Sequence, residues 1–208
     1  MDVYSKSFET LKKIIQSEKK YNYKIFLLGG WAVWLYNPYM KSRDIDFIVE
    51  KKHFWKFRNF IENIGFRETA KVLQKHGFSM IFEGDKIELD VYTEKIGKWG
   101  INELIDDFCL IKGMQVLSPT KLFMLKAFTA LERHGTAKGE KDLSDLVALL
   151  DAQYGNIDYE FVKKQADLDA VFSIILSDFQ LTSKIYPISI KKYKEIASYL
   201  KKYGFYSH

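Results

Sequence analysis

Residues 26–50 read FLLGGWAVWLYNPYMKSRDIDFIVE, and the two aspartates near the end of that stretch constrain what the chain can fold into. Asp44 and Asp46 flank Ile45 inside an otherwise apolar run. Apolar strands exclude a carboxylate whose charge nothing offsets. Residues two apart on a strand share a face, so Asp44 and Asp46 aim together while Ile45 and Phe47 face the core. Two like charges this close repel, and the pattern calls for something positive between them. Hard divalent cations such as Mg²⁺ meet that need with oxygen ligands, often one or two carboxylates plus phosphate oxygens.

The run KIELDVY supplies a third carboxylate, Asp90, flanked by Leu89 and Val91 as Ile45 flanks the first pair. Glu88 shares its face and is the fallback. Upstream, Gly29-Gly30 closes the apolar strand YKIFLL and opens the helix WAVWLY, which Asn37-Pro38 stops. At such a junction, missing side chains let a phosphate approach the backbone, and the free N–H groups of the helix start favour an anion. A phosphate cradle followed by a metal-holding strand is the equipment of metal-dependent phosphoryl or nucleotidyl transfer.

Around these motifs the chain reads as α+β, a mixed α/β head followed by helices. SKSFETLKKIIQSEK places Phe8, Leu11, Ile14 and Ile15 at helical spacing. HFWKFRNFIENIG puts Phe54, Phe57, Phe60, Ile61 and Ile64 on one side, with Gly65 as its stop. FSMIFEGDKIELDVY predicts a hairpin turning at Glu83-Gly84-Asp85, and DDFCLIKGMQVL another turning at Lys112-Gly113. Ser118-Pro119 then starts a helical region of four segments: PTKLFMLKAFTALERHG, EKDLSDLVALLDAQYG, DYEFVKKQADLDAVFSIILSDF and ISIKKYKEIASYLKKYG. The expected domains are 1–116, the sheet-based head, and 117–208, the helical part.

Composition excludes several classes. Cys109 is the single cysteine, so no internal disulfide forms, and its apolar run DFCLI predicts a buried strand residue. The four histidines, His53, His76, His134 and His208, form no pair at ligand spacing, which argues against a zinc enzyme. The N-terminus lacks an apolar signal core and no uncharged run approaches membrane length, so the expectation is a cytoplasmic protein with no membrane partner. The net charge of +5 is compatible with an anionic partner.

The ordered set Gly29-Gly30, Asp44-x-Asp46 and Asp90 resembles the signature of the DNA polymerase β-like nucleotidyltransferase superfamily, and GGWA also resembles the aminoglycoside and lincosamide nucleotidyltransferases. The segment LSPTKLFMLKAFTALERHGTAKGEKDLSDLVALL is similar to the helical region of the AbiEii/AbiGii-type toxins, with Lys126, Arg133, Lys141-Asp142 and Asp145-Leu146 at the matching positions. The resemblance implies a small α/β nucleotidyltransferase head with a helical C-terminal part. It further implies transfer of a nucleotide from a nucleoside triphosphate, with Mg²⁺ (or Mn²⁺) held by Asp44, Asp46 and Asp90. Gly29, Gly30 and Ser42 would seat the triphosphate, Lys126 would contact it, and Asp142 would hold the lysine or the acceptor. The implied acceptor is RNA, the 3′ end of tRNA in some toxins of this kind, and a cognate antitoxin is the implied protein partner. One departure stands out: relatives often carry Arg four residues before the first Asp, where this chain has Met40 with Lys41 and Arg43 nearby.

Each residue of the helical part also has a plain structural reading. Lys126 fits a snorkelling helix-edge lysine, Arg133 a helix-end charge, and Asp142 a first-turn acid. In SIKKYKEIASYLKKYGFY, interleaved lysines and tyrosines fit an RNA-facing helix. The periodicity equally fits an amphipathic helix burying Ile190, Tyr193, Ile196, Ala197 and Leu200. The competing functions are a small-molecule nucleotidyltransferase and a non-catalytic nucleotide- or RNA-binding relative.

Overall fold

The computed structural model describes residues 2–69, 77–82 and 85–205. The chain forms two compact units, one of Met1–Leu35 with Met40–Ser118, the other of Tyr36–Tyr39 with Pro119–His208.

The first unit is built on a mixed sheet. Its elements are α1 (Val3–Tyr21), β1 (Ile25–Leu28), α2 (Gly29–Tyr36), β2 (Ile45–Val49), α3 (Phe54–Asn63), β3 (Arg67–Glu68), β4 (Gly77–Phe82) and β5 (Ile87–Tyr92). There follow β6 (Lys95–Ile96), β7 (Trp99–Gly100), α4 (Ile101–Ile105), β8 (Phe108–Ile111) and β9 (Met114–Leu117). Among the described residues seven strands pair in the order β3-β4-β5-β2-β1-β9-β8, and β6 and β7 form a separate small hairpin. The central strands β1 and β2 are antiparallel, while β5 runs parallel to β2 and β9 parallel to β1.

One face of the sheet is greasy because the alternation of β2 and β5 makes it so. Ile45 and Phe47 lie in register with Leu89 and Val91, and all four are fully buried. Phe57 of α3 meets Phe47 with ring centroids 6.1 Å apart, so α3 covers this face. Each such buried side chain stabilises the fold by about 1.5–3 kcal/mol. Asp46 and Asp90 belong by parity to the opposite face. In α1, Leu11 and Ile14 are buried as expected, but Phe8 and Ile15 are half-buried, and Ser7 and Ser17 fill the remaining inward positions. Both hydroxyls are satisfied, Ser17 donating to the Ile14 carbonyl and Ser7 to the Arg43 carbonyl.

The hairpin of β4 and β5 pairs Gly77–Phe82 antiparallel with Ile87–Tyr92. Of its expected turn, Glu83 and Gly84 lie outside the described residues, as do His76 and His208. The second hairpin turns at Lys112 and Gly113, whose φ angles of 50° and 79° suit a two-residue turn. Cys109 departs from expectation. Its strand β8 is the sheet edge, so the thiol is half-buried, and Phe108 and Leu110 beside it are exposed.

The second unit is helical: α5 (Pro119–Glu132), α6 (Ala137–Gln153), α7 (Tyr159–Lys163), α8 (Leu168–Ile175), α9 (Phe179–Ile185) and α10 (Ile190–Leu200). The segment DYEFVKKQADLDAVFSIILSDF is not one helix. Asp158, Asp167 and Asp178 each cap a new start, accepting from the N–H groups of Phe161, Ala170 and Leu181. Rings of Phe123, Tyr159, Phe172 and Phe205 cluster at the centre. On α10, Ile196 and Leu200 are buried and Tyr193 and Ala197 half-buried, whereas Ile190 is exposed in the first turn. Among the described residues no helix is long and apolar enough to cross a membrane.

Candidate active site

The carboxylates gather on the face of the sheet opposite Phe57 because β2 and β5 run parallel in a fixed register. Asp46 lies opposite Asp90, and Ile45 opposite Leu89. Neighbouring strands lie about 4.8 Å apart, so the two aspartates leave the sheet side by side. Asp44, just before β2, and Glu88 sit two residues back on the same face. Four carboxylates thus share one patch. Asp90 is nearly buried, and Asp44, Asp46 and Glu88 are half-buried.

Part of the positive charge that the sequence calls for comes from the chain itself. Arg43 Nε donates to Asp44 Oδ1 at 3.0 Å, and a terminal guanidinium nitrogen lies 3.7 Å from Glu88. The bond to Asp44 raises the guanidinium pKa further above its already high value. Ser7 fixes the loop from behind: its hydroxyl donates to the Arg43 carbonyl at 2.7 Å and accepts from Trp31 Nε1 at 3.0 Å. Neither Ser7 nor the bridging role of Arg43 was marked by a sequence motif.

Gly29 is where cradle and carboxylates meet. It carries φ +70° at the junction of β1 and α2, a conformation that L side chains rarely adopt. A Cβ there would fall 2.0 Å from Asp46 Oδ2. The Asp46 carboxylate therefore rests on the bare Cα of Gly29, and the first N–H groups of α2 begin beside it. Gly30 is buried in that first turn, and Ser42 is buried in the loop before Asp44.

Among the described residues no three His, Cys, Asp or Glu side chains form a ready metal cage. The donor set nevertheless fits Mg²⁺ or Mn²⁺: the oxygens are hard, they lie on one face, and Mg²⁺ completes its shell with water and phosphate. The in-register pair Asp46 and Asp90, with Asp46 resting against a glycine that leaves room for no side chain, is the observation that carries this fit.

Lys126 and Asp142 belong to the second unit. Lys126 Nζ lies 2.9 Å from Asp142 Oδ1 and 2.6 Å from Asp145 Oδ2, with 12%, 8% and 5% of the three side chains exposed. Arg133 approaches Asp142 at 3.4 Å. Lys126 is therefore not a snorkelling edge residue. Nor is Asp142 a first-turn acid: α6 starts at Ala137 with Thr136 as its cap, which places Asp142 in the second turn. Burial by itself lowers the Lys126 pKa, but Asp145 and Asp142 outweigh it and hold the amine above the ordinary lysine value. Asp145, part of a motif but not a candidate site residue in sequence, is as close a partner as Asp142.

The sequence matches no known family model, and no curated protein matches it. Solved structures do match the fold. The antibiotic-resistance factor ANT(2'')-Ia aligns in its solution structure with TM-score 0.60 and 18% identity, over 81% of this chain and 92% of that one. Its crystal structure in complex with adenylyl-2''-tobramycin aligns with TM-score 0.58 and 19% identity, over 76% and 92%. JHP933 from Helicobacter pylori aligns over 98% of this chain and 96% of its own, with TM-score 0.56 and 15% identity. An antigenic nucleotidyltransferase-like protein from Paracoccidioides brasiliensis gives 0.51 and 16%, over 80% and 92%. The chain thus has the nucleotidyltransferase fold, a mixed-sheet head followed by a helical part.

Two outcomes follow from this geometry. Gly29→Ala should lose stability by about 1–3 kcal/mol from the left-handed backbone alone, plus the cost of displacing Asp46. Gly113→Ala is the control, since it shares a positive φ but its added Cβ would meet no atom of the described residues within 4 Å. Urea midpoints should fall further for Gly29→Ala, and equal falls would contradict the Asp46 contact.

Lys126→Met should cost about 3–5 kcal/mol at pH 7, because two buried carboxylates lose their counter-charge. The raised lysine pKa gives stability that is complete below its unfolded value of about 10.4 and is lost as pH climbs through the folded value. The gap between wild type and Lys126→Met should therefore narrow as pH climbs through the folded lysine value. A gap that does not change with pH would contradict the charge assignment.

Proposed function

We propose that the protein is a divalent-metal-dependent nucleotidyltransferase that moves a nucleoside monophosphate from a nucleoside triphosphate to an acceptor hydroxyl. One observation carries the reading: Asp46 stands in register with Asp90 and rests against Gly29 at a strand-to-helix junction. Asp44, Asp46 and Asp90 would hold Mg²⁺ or Mn²⁺, which when bound supplies charge stabilisation to the triphosphate and its leaving group.

The chain's own groups do the rest. Backbone N–H groups at Gly29 and Gly30 donate to phosphate oxygens at the start of α2, with Ser42 as a supporting contact to the triphosphate. Arg43, exposed enough to swing, exchanges its carboxylate partners for triphosphate oxygens. Asp90 takes the proton of the acceptor hydroxyl as that oxygen attacks the α-phosphate in line. The bond from the α-phosphate to the bridging oxygen breaks, and pyrophosphate leaves. The resemblance gives Lys126 a triphosphate contact with Asp142 holding the lysine, and the Lys126–Asp142 pair is compatible with the second half of that role.

For the acceptor we favour RNA, tRNA foremost, in an AbiEii-like toxin restrained by a cognate antitoxin. The net charge of +5 and the run of exposed lysines Lys191, Lys194, Lys201 and Lys202 support an anionic acceptor. A second reading, a small-molecule acceptor, draws on the likeness to ANT(2'')-Ia and its adenylylated tobramycin complex.

Incubating the protein with Mg²⁺, each α-labelled nucleoside triphosphate in turn, and total tRNA separates these readings. We expect labelled tRNA from wild type and a loss of at least about 100-fold in Asp46→Asn. Label on an aminoglycoside or lincosamide instead of tRNA would select the second reading. No pyrophosphate release with any acceptor would leave a non-catalytic relative.

A further inference from the structure

The two edges of the seven-stranded sheet are built differently. β3 ends one side with Arg67 and Glu68, both exposed, and charges on an edge discourage another strand from pairing there. β8 ends the other side with Phe108-Cys109-Leu110-Ile111, a run with no charge in it. Leu110 is 71% exposed, the most exposed large apolar side chain among the described residues, and Phe108 is 44% exposed.

The hydrogen-bond phase of β8 decides which groups are left over. Ser118 N–H donates to the Asp107 carbonyl, and Asp107 and Ser118 are directly opposite in the β8–β9 register. In an antiparallel ladder, opposed pairs alternate between bonded and non-bonded. Asp107, Cys109 and Ile111 therefore spend their backbone groups on β9, while Phe108 and Leu110 turn theirs outward. The two residues with outward-facing N–H and C=O groups are also the two with exposed apolar side chains.

We propose that this edge pairs with the same edge of a second copy, β8 antiparallel to β8, making one continuous sheet through a two-fold axis at Cys109. That register sets Phe108 of one copy opposite Leu110 of the other, twice. The outward N–H and C=O groups then form four inter-chain hydrogen bonds, and the exposed apolar side chains cover each other on the same face. Charge selects the second copy and its direction. Asp106 and Asp107 precede β8 and Lys112 follows it, so antiparallel self-pairing brings the acidic end of each strand to the basic end of the other. Parallel pairing would set like ends together. The two Cys109 residues face each other across the axis as a non-bonded pair, where Cα atoms lie about 4.5 Å apart, within the span a disulfide bridges.

The chain's single cysteine is thus a built-in reporter, and this proposal stands or falls independently of the enzymatic reading. Light scattering on the purified, reduced protein should give twice the 24.4 kDa chain mass. Mild oxidation should convert the dimer to a covalent species on a non-reducing gel. Cys109→Ser should stay dimeric but lose that band, and Leu110→Lys should be monomeric with unchanged far-UV circular dichroism. If Leu110→Lys fails to fold, the wild-type cross-link decides. A monomer at all concentrations, a dimer that oxidation does not link, or a dimer indifferent to Leu110→Lys would each overturn the proposal.

Discussion

Everything at the candidate site depends on one register: β2 parallel to β5 with Asp46 beside Asp90. Like charges directly opposed in a sheet destabilise it, so the arrangement persists because the reverse face holds it. There Ile45, Phe47, Leu89 and Val91 interlock in the same register and are fully buried. A slip of either strand by one residue would turn it over, sending its two carboxylates into the apolar layer and two of its buried apolar side chains out of it. Hydrophobic burial on one side thus fixes an electrostatically unfavourable arrangement on the other. That is the condition for a face that attracts a divalent cation.

The two units treat buried charge in opposite ways. On the sheet, Arg43 covers Asp44 and approaches Glu88 from a half-exposed position, so its hold is loose and exchangeable. In the helical unit, Lys126 sits almost wholly inside between Asp142 and Asp145, and its amine is committed to them. Loose pairing suits a site that must accept a ligand. Tight pairing suits the joint between α5 and α6, where Gly139 lets its helix pass close to the Arg133 carbonyl.

Much of this was legible in the sequence where a signal was local and strong. The Gly29-Gly30 junction, the strand DIDFIV, the run KIELDVY and the Lys112-Gly113 turn all lie where their periodicity and turn residues put them. The failures have a common origin in neighbours that sequence does not reveal. Cys109 reads as buried because its run is apolar, but β8 is the sheet edge among the described residues. DYEFVKKQADLDAVFSIILSDF keeps a helical rhythm, yet Asp158, Asp167 and Asp178 each restart the chain as caps. Asp142 reads as a first-turn acid because the helix start set by Thr136 lies earlier than its charged run. The short elements β3, β6, β7 and α4 carry too few residues to show a period at all. Ser7, which holds the Arg43 loop, is a serine among many until its partners are seen.

The central claim is that Asp44, Asp46 and Asp90 form a divalent-cation site beside the Gly29 cradle. Anomalous diffraction from crystals soaked with Mn²⁺ and a non-hydrolysable nucleoside triphosphate tests it directly. The account predicts a Mn²⁺ peak within about 2.0–2.3 Å of Asp46 and Asp90 carboxylate oxygens, with triphosphate oxygens against the start of α2, and no peak in Asp46→Asn. Manganese and nucleotide bound elsewhere, or nucleotide bound equally well in Asp46→Asn, would contradict it.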